Sequence, residues 1–388
     1  DPNDGSHASM SYRKYATLLA VVDEIAAGRI QGARRLLAHH VDAQLGPDAD
    51  DLPYYIFASA LSRRVASEKT AEINLYLRRF QDPQISLFNL LATHLPTVAL
   101  AGPIANALLA RFLGGHDEVT LLDIGIGSGR QETALLYALA RAGRLPRRLN
   151  LVAVEPDAES LETARASLAA AAGALGMELR FTGINRVVEE LDAADWERVA
   201  AYHAPLVVHA AFAAHHLRRA GTSCPRDDLF RRLRELDPDA VVLAEPSSDH
   251  HTSSLRARFE NAWHHFGLTF RLIDRLGVGD AEAAAMKMFF AREIEDILGN
   301  DEEARCERHE PVEAWMERLR RAGFTPYADL GFARELPSEH VRVAPREGYV
   351  GLDYADETLV AVICATSGVP AASPVRPRPD SYRAALSA

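Results

Sequence analysis

Acidic side chains and glycines fall at spacings that could hold a nucleotide. In Leu121-Leu122-Asp123-Ile124-Gly125-Ile126-Gly127-Ser128-Gly129 an apolar run ends at Asp123, and three glycines follow at alternate positions. Glycine has no side chain, so such a loop lets backbone N–H groups and a helix N-terminus approach a ligand closely. The next apolar run, 149–154, ends at Glu155, an acid placed to accept hydrogen bonds from ribose hydroxyls. A nicotinamide-binding loop has the spacing G-x-G-x-x-G and holds a pyrophosphate. Here the third glycine comes one residue early, and a carboxylate at 123 would repel a pyrophosphate but favour a cationic amine or sulfonium. The expectation is S-adenosylmethionine as cofactor. Asp123, Gly125, Gly127 and Gly129 would take its methionine end, and Glu155 and Pro156 the ribose. Asn185 would flank the adenine, with Ala210 at the next strand end. The alternative is a glycine-rich turn that holds no cofactor.

Two further segments carry residue types that do chemistry. His215 or His216 could act as a general base, because imidazole titrates near neutral pH and a hydroxyl acceptor must lose a proton as it takes a methyl group. The same pair could simply fix its loop. Glu245, Asp249, His250 and His251 include metal-ligating types, but their spacing equally fits a polar loop with a helix cap, and no metal is expected. Phe212 and Glu245 follow strand candidates and would face the acceptor. Tyr54, Met286 and Phe289 could line a pocket for a hydrophobic substrate, although at helical spacing such side chains are more often core.

These residues need a sheet to place them. Strand candidates are 119–124, 149–154, 178–181, 205–209 and 240–244, with helical runs such as 160–175 and 226–236 between them. That alternation predicts an α/β fold, a Rossmann-like, doubly wound and mostly parallel sheet. Its ligands lie beyond the carboxyl ends of the strands. Two closing strands are expected at 324–330 and 359–366, with a turn near 353–356 and the last strand antiparallel. Upstream, 15–25, 33–45, 56–66 and 71–80 have apolar residues at three- and four-residue spacing, punctuated by Pro53, Pro83 and Pro96. The expected division is a helical cap over 11–115 and a sheet core over 116–367, with a substrate-covering insertion near 276–305. A proline-rich, disordered tail over 368–388 completes it. Residues 1–9 read as a vector-derived leader, with Met10 the native start.

Composition narrows the partners. A net charge of -11 argues against phosphate-backbone binding, which needs clustered Lys and Arg, so no nucleic acid is expected. Cys224, Cys306 and Cys364 include no CxxC pair, which fits a reducing, cytoplasmic setting. No apolar run of spanning length stands out, so no membrane is expected. The expected partner is a small-molecule substrate, and the chain could be a monomer or a homodimer through the helical cap.

The order of segments resembles the GRAS family, plant regulators that also occur in bacteria. Residues 18–45 and 54–64 are similar to its first helical motif, and 119–131 to its strand and "D-F-x-I-x-x-G" loop. Residues 206–217 resemble "v-N-C-x-F-x-L-H-H-M", and 240–247 with Arg256 to Phe259 resemble its fifth strand and "P-R-F" run. Arg292-Glu293-Ile294, Glu307 to Pro311 with Trp315, and Ala322-Gly323-Phe324-Thr325-Pro326 are similar to "R-E-I…E-R-H-E…W" and "A-G-F-x-P". The resemblance implies a methyltransferase-like Rossmann core with an N-terminal helical cap. Plant members are regarded as transcriptional regulators and scaffolds, and bacterial members have been suggested to methylate small molecules. This chain departs in keeping all three alternate glycines and in lacking the tryptophan of the family's last motif near 359–366. The intact loop turns the expectation to an S-adenosylmethionine-dependent methyltransferase acting on a small, partly hydrophobic metabolite. The alternative is a non-catalytic ligand-binding or scaffolding protein. The run Leu87-Phe88-Asn89-Leu90-Leu91 would then be a docking helix, although it fits a buried amphipathic helix better.

Overall fold

Leu121 and Leu122 are both fully buried although they point to opposite faces of their strand. A strand covered on both sides is mainly apolar, which is why Val119, Leu121, Leu122 and Ile124 of β1 (Glu118–Ile124) are all buried, with Thr120 and Asp123 as buried polar exceptions. The computed structural model describes residues 2–80, 84–218 and 224–368, with the backbone alone for 2–10, 80, 84–86 and 89. Pro83 and the tail beyond Gly368 lie outside the described residues, so the expectations made for them are not addressed.

Four more strands run parallel to β1: β2 (Arg148–Val154), β3 (Glu178–Ile184), β4 (Leu206–Ala211) and β5 (Ala240–Pro246). Their spatial order is β3-β2-β1-β4-β5. The order therefore reverses beside β1, the position where folds of this type place a ligand crevice at the carboxyl ends. In register, Asp123 of β1 lies beside Ala153 of β2 and His209 of β4. One face packs against the helices Ala101–Leu113, Arg130–Arg141 and Ala158–Leu175 through Leu108, Leu135 and Leu168. The other packs against Pro225–Glu235 and Val312–Arg321 through Phe230 and Trp315. Local signals set the helix ends. The Asp157 carboxylate accepts from the Ser160 N–H at 2.8 Å, and Gly176 closes the same helix at φ 69°.

The far edge departs from expectation. Only β6 (Thr325–Pro326) forms in the expected closing strand over 324–330, and a 3₁₀ turn (Gly331–Glu335) follows it. Two strands not expected, β7 (Arg342–Arg346) and β8 (Tyr349–Tyr354), build the edge with β9 (Glu357–Thr366). β9 runs antiparallel to β5, and β8 and β7 follow it outward. The hairpin between β8 and β9 turns at Ala355 and Asp356, with φ 50° and 65°, inside the expected turn.

The chain separates into two compact units that are not the expected ones. One comprises 1–95 and 248–309, the other 96–247 and 310–388. The boundary expected at 115 shifts because the helix Ala101–Leu113 packs in the core of the sheet. The insertion expected at 276–305 is part of a longer return. The helices Leu255–Asp274 and Asp280–Gly299 complete the helical unit, where Phe57 packs on Trp263 with ring centroids 4.8 Å apart. By length and composition the stretch Pro96–Leu113 could cross a membrane, contrary to the sequence expectation. It is broken between the helices Pro96–Ala99 and Ala101–Leu113, and Ile104, Leu108 and Leu109 are buried in the core of the sheet unit. In the helix Gln84–His94, Leu87 and Leu91 are buried, so the leucine run is an amphipathic core helix.

Candidate functional site

Tight turns at the end of β1 require glycine. Gly125, Gly127 and Gly129 all have positive φ, at 81°, 55° and 71°. L-residues with a side chain pay about 1–2 kcal/mol in that region. The three are not equivalent. A Cβ on Gly125 would stand 2.6 Å from the Ala213 Cβ, and one on Gly129 would stand 3.1 Å from Ala164 and Leu168. A Cβ on Gly127 meets nothing within 4 Å. Only Gly127 borders open space.

The two strand-end acids are engaged within the protein. The Glu155 carboxylate accepts from the Gly127 N–H at 2.9 Å and from the Asp157 N–H at 3.0 Å. Asp123 is 1% exposed and Glu132, at the start of the helix after the loop, is 4% exposed. Burial, together with the Glu132 charge, pushes the Asp123 carboxyl well above its usual range; burial also raises that of Glu132. Asn185 donates from its amide to the carbonyls of Glu155 and Pro156, at 2.9 and 2.8 Å, and so ties β3's end to β2's. Ala210 is 2% exposed and packs within the core. A ligand touches only atoms that solvent can reach. As they stand, Asp123 and Ala210 could meet S-adenosylmethionine only after the loop rearranged, and Glu155 is already bonded twice.

His215 and Glu245 are brought together. The His215 Nδ1 lies 2.5 Å from the Glu245 Oε2, and the Ala214 N–H donates to the other carboxylate oxygen at 2.8 Å. Burial works to raise the Glu245 pKa, but His215 and the Ala214 N–H outweigh it and hold it below the usual range. Phe212, with φ 53°, is a strained residue in this loop, and its N–H donates to the Ala244 carbonyl at 2.7 Å. His216 is exposed, with its ring centroid 4.0 Å from that of His215. Beneath them lies a network that sequence reasoning missed. Arg226, 2% exposed, pairs with Glu310 at 2.9 Å, donates to the His215 carbonyl at 3.0 Å and lies over the Trp315 ring. Arg318 grips Glu310 with two bonds of 2.7 and 2.6 Å. The matched segment "E-R-H-E-P…W" held the signal for Glu310 and Trp315.

The remaining expected residues lie in the helical unit. Tyr54 packs on Trp263 at 5.4 Å, Met286 is fully buried, and Phe289 contacts Phe88 and Phe290. Met286 is core, not a pocket wall. A cavity of about 450 Å³ in this unit is lined instead by Met288 with Ile56, Leu77, Arg78 and Arg292.

Comparison with known proteins places this geometry. The profile of the GRAS domain family matches residues 15–360. A GRAS family protein RAD1 of Medicago truncatula is 26% identical over 291 residues, covering 71% of this chain and 55% of its own length. The Scarecrow-like transcription factor PAT1 of Arabidopsis thaliana is 26% identical over 274 residues, 66% of this chain and 56% of its own. The chain therefore spans little more than half the length of these relatives. The crystal structure of SCL7 from Oryza sativa aligns with a TM-score of 0.70 and 23% identity, over 91% of this chain and 99% of that one. This confirms a mixed α/β fold with a central sheet and many helices. PAT1 is thus named a transcription factor, and a further relative, of Medicago truncatula, is named DELLA protein 2. The expectation of a methyltransferase acting on a small metabolite is corrected on that finding.

Proposed function

The chain belongs to the GRAS domain family, and on that premise we propose that it is a non-catalytic regulatory protein that works through protein partners. The observation that carries the reading is the bond from the Gly127 N–H to the Glu155 carboxylate. It makes the glycine loop an internal brace across the ends of β1 and β2. A similar economy holds around His215, whose partner Glu245 fixes the loop backbone as well as the ring. The sheet has the strand order of a Rossmann-like fold, retained here as a scaffold. The net charge of -11 favours contacts with proteins over direct binding to a phosphate backbone. Cys224, Cys306 and Cys364 are not disulfide-bonded, which fits a reducing setting such as the cytoplasm.

The test is complementation. Cells lacking the protein should show altered transcripts, restored equally by the wild-type chain and by Gly127→Leu, which fills the open side of the loop. Transcripts unaffected by the loss, or a folded Gly127→Leu chain that fails to restore them, would overturn the proposal.

A further inference from the structure

Two buried acids and a buried imidazole meet beneath the glycine loop. Asp123 and His209 are register partners on β1 and β4, so their side chains leave the same face of the sheet side by side. Glu132, in the first turn of the helix Arg130–Arg141, comes down on that face. All three are buried, at 1%, 1% and 4% exposure for Asp123, His209 and Glu132. Their ligating atoms lie within 4.8 Å of one another. The Asp123 Oδ2 and the Glu132 Oε2 are closed to solvent and meet no donor from another residue among the described residues, so the one hydrogen bond open to them is a proton shared between the two carboxyls. An orphaned carboxylate oxygen in the core is costly, and two facing each other are worse.

We propose that Asp123, Glu132 and His209 form a binding site for a divalent transition-metal ion. Two carboxylate oxygens and one imidazole nitrogen suit Zn²⁺, Mn²⁺ or Fe²⁺ more than the all-oxygen sites of Ca²⁺ or Mg²⁺. The charge balances, because two carboxylates neutralise the ion, whereas one shared proton leaves a net negative charge in the core. His209 is prepared for the role. Its Nδ1 lies 3.0 Å from the Val242 carbonyl, a bond that fixes the proton there and leaves Nε2 as the acceptor. The Gln131 amide now stands 2.7 Å from that Nε2 and is itself held by Asn106 at 3.2 Å. An ion would take its place, drawing the ligands in by roughly 1 Å toward ordinary bond lengths. It would link β1, β4 and the helix that flank the glycine loop. Its work is to order that loop. Nothing in the sequence spacing marks this site, because the ligands are far apart along the chain.

The experiment is metal retention. Protein dialysed against EDTA, then against Zn²⁺ or Mn²⁺, is desalted and its metal measured, and its melting temperature is followed in parallel. The proposal expects about one equivalent per chain and a raised melting temperature. Glu132→Gln, nearly isosteric, should cut retention at least about tenfold, while His216→Ala, which removes an exposed imidazole, should not. Absence of retained metal in the wild-type protein overturns the proposal without reference to any variant. So does retention by Glu132→Gln or His209→Gln equal to that of wild type.

Discussion

The Glu155 carboxylate holds the Gly127 N–H at 2.9 Å, joining the acid that ends one strand to the middle glycine that follows its neighbour. A second bond, from the Asp157 N–H at 3.0 Å, uses the other oxygen. One side chain thus fixes two turns at the crevice. Truncating it strands two backbone donors. Glu155→Ala should cost about 2–3 kcal/mol, because hydrogen bonds to a charged acceptor are lost without replacement. Urea unfolding measures the loss, and amide exchange should show Gly127 losing protection first. An unchanged midpoint would mean that the bond is incidental.

The three glycines should respond differently to the same change. Gly125→Ala places a Cβ 2.6 Å from that of Ala213 and also strains φ, so it should destabilise by about 2–4 kcal/mol. Gly127→Ala meets open space and should cost only about 1 kcal/mol. Adding Ala213→Gly should recover part of the Gly125→Ala loss and none of the Gly127→Ala loss. Equal costs at both positions would show that the packing against Ala213 is unimportant.

Arg226 should be among the most sensitive residues of the sheet unit. It is buried, pairs with Glu310 at 2.9 Å and donates to the His215 carbonyl. Removing it as Arg226→Met takes one guanidinium from the buried Glu310 carboxylate, which Arg318 also holds, a loss of about 3–5 kcal/mol. Arg226→Lys should recover little, since an ammonium cannot serve both partners with the same planar fork. Thermal unfolding of both variants decides it.

Acid should weaken the helical unit through its buried histidines. His250 and His265 are neutral in the core. Burial and neighbouring His309 push the His265 pKa down to about 3 and that of His250 well below its usual value. The His250 Nδ1 lies 2.8 Å from the His309 Nδ1, with Arg305 bonded to the His250 carbonyl, and Glu307 3.4 Å from the His309 Nε2. For a histidine whose folded pKa is depressed, the unfolded chain binds more protons between the two values. Stability is therefore fully present above about pH 6.5 and falls as pH drops below it, by roughly 1 kcal/mol per unit for each imidazole. The acid limb of a stability–pH curve measures this, and His265→Phe should flatten it. A curve level from pH 7 to pH 5 would contradict the account.

Legibility followed locality. Four of the five parallel strands, β1, β2, β4 and β5, were readable because burial on both faces makes them mainly apolar, as in Leu121 and Leu122; β3, at the sheet edge with Glu178 and Arg180 exposed, carries a weaker pattern. The glycine loop was readable because three positive φ values demand three glycines. The edge strands were not. β7 carries Pro345, β8 carries Gly351, and the charged Arg342, Arg346 and Asp353 that join them interrupt the short apolar alternation of Val343, Val350 and Leu352. The unit boundary was hidden because the helix Leu255–Asp274 returns to residues near position 57, a contact with no local signature. At the site, the strand pattern put Asp123 near the end of β1 and Glu155 directly after β2. It could not say whether they face a ligand or the protein, since that depends on Glu132, Gly127 and Asp157. Ala210 in the sheet unit and Met286 in the helical unit are buried, because a small or apolar residue at such a position packs as readily into the core as onto a ligand.

The most direct test is titration of the purified chain with S-adenosylmethionine and with S-adenosylhomocysteine by calorimetry, with Gly127→Leu alongside. The account predicts no binding heat up to about 1 mM ligand and no methyl transfer, with the loop held closed by Glu155. Micromolar binding that Gly127→Leu abolishes would contradict it and return the loop to the role of a cofactor site.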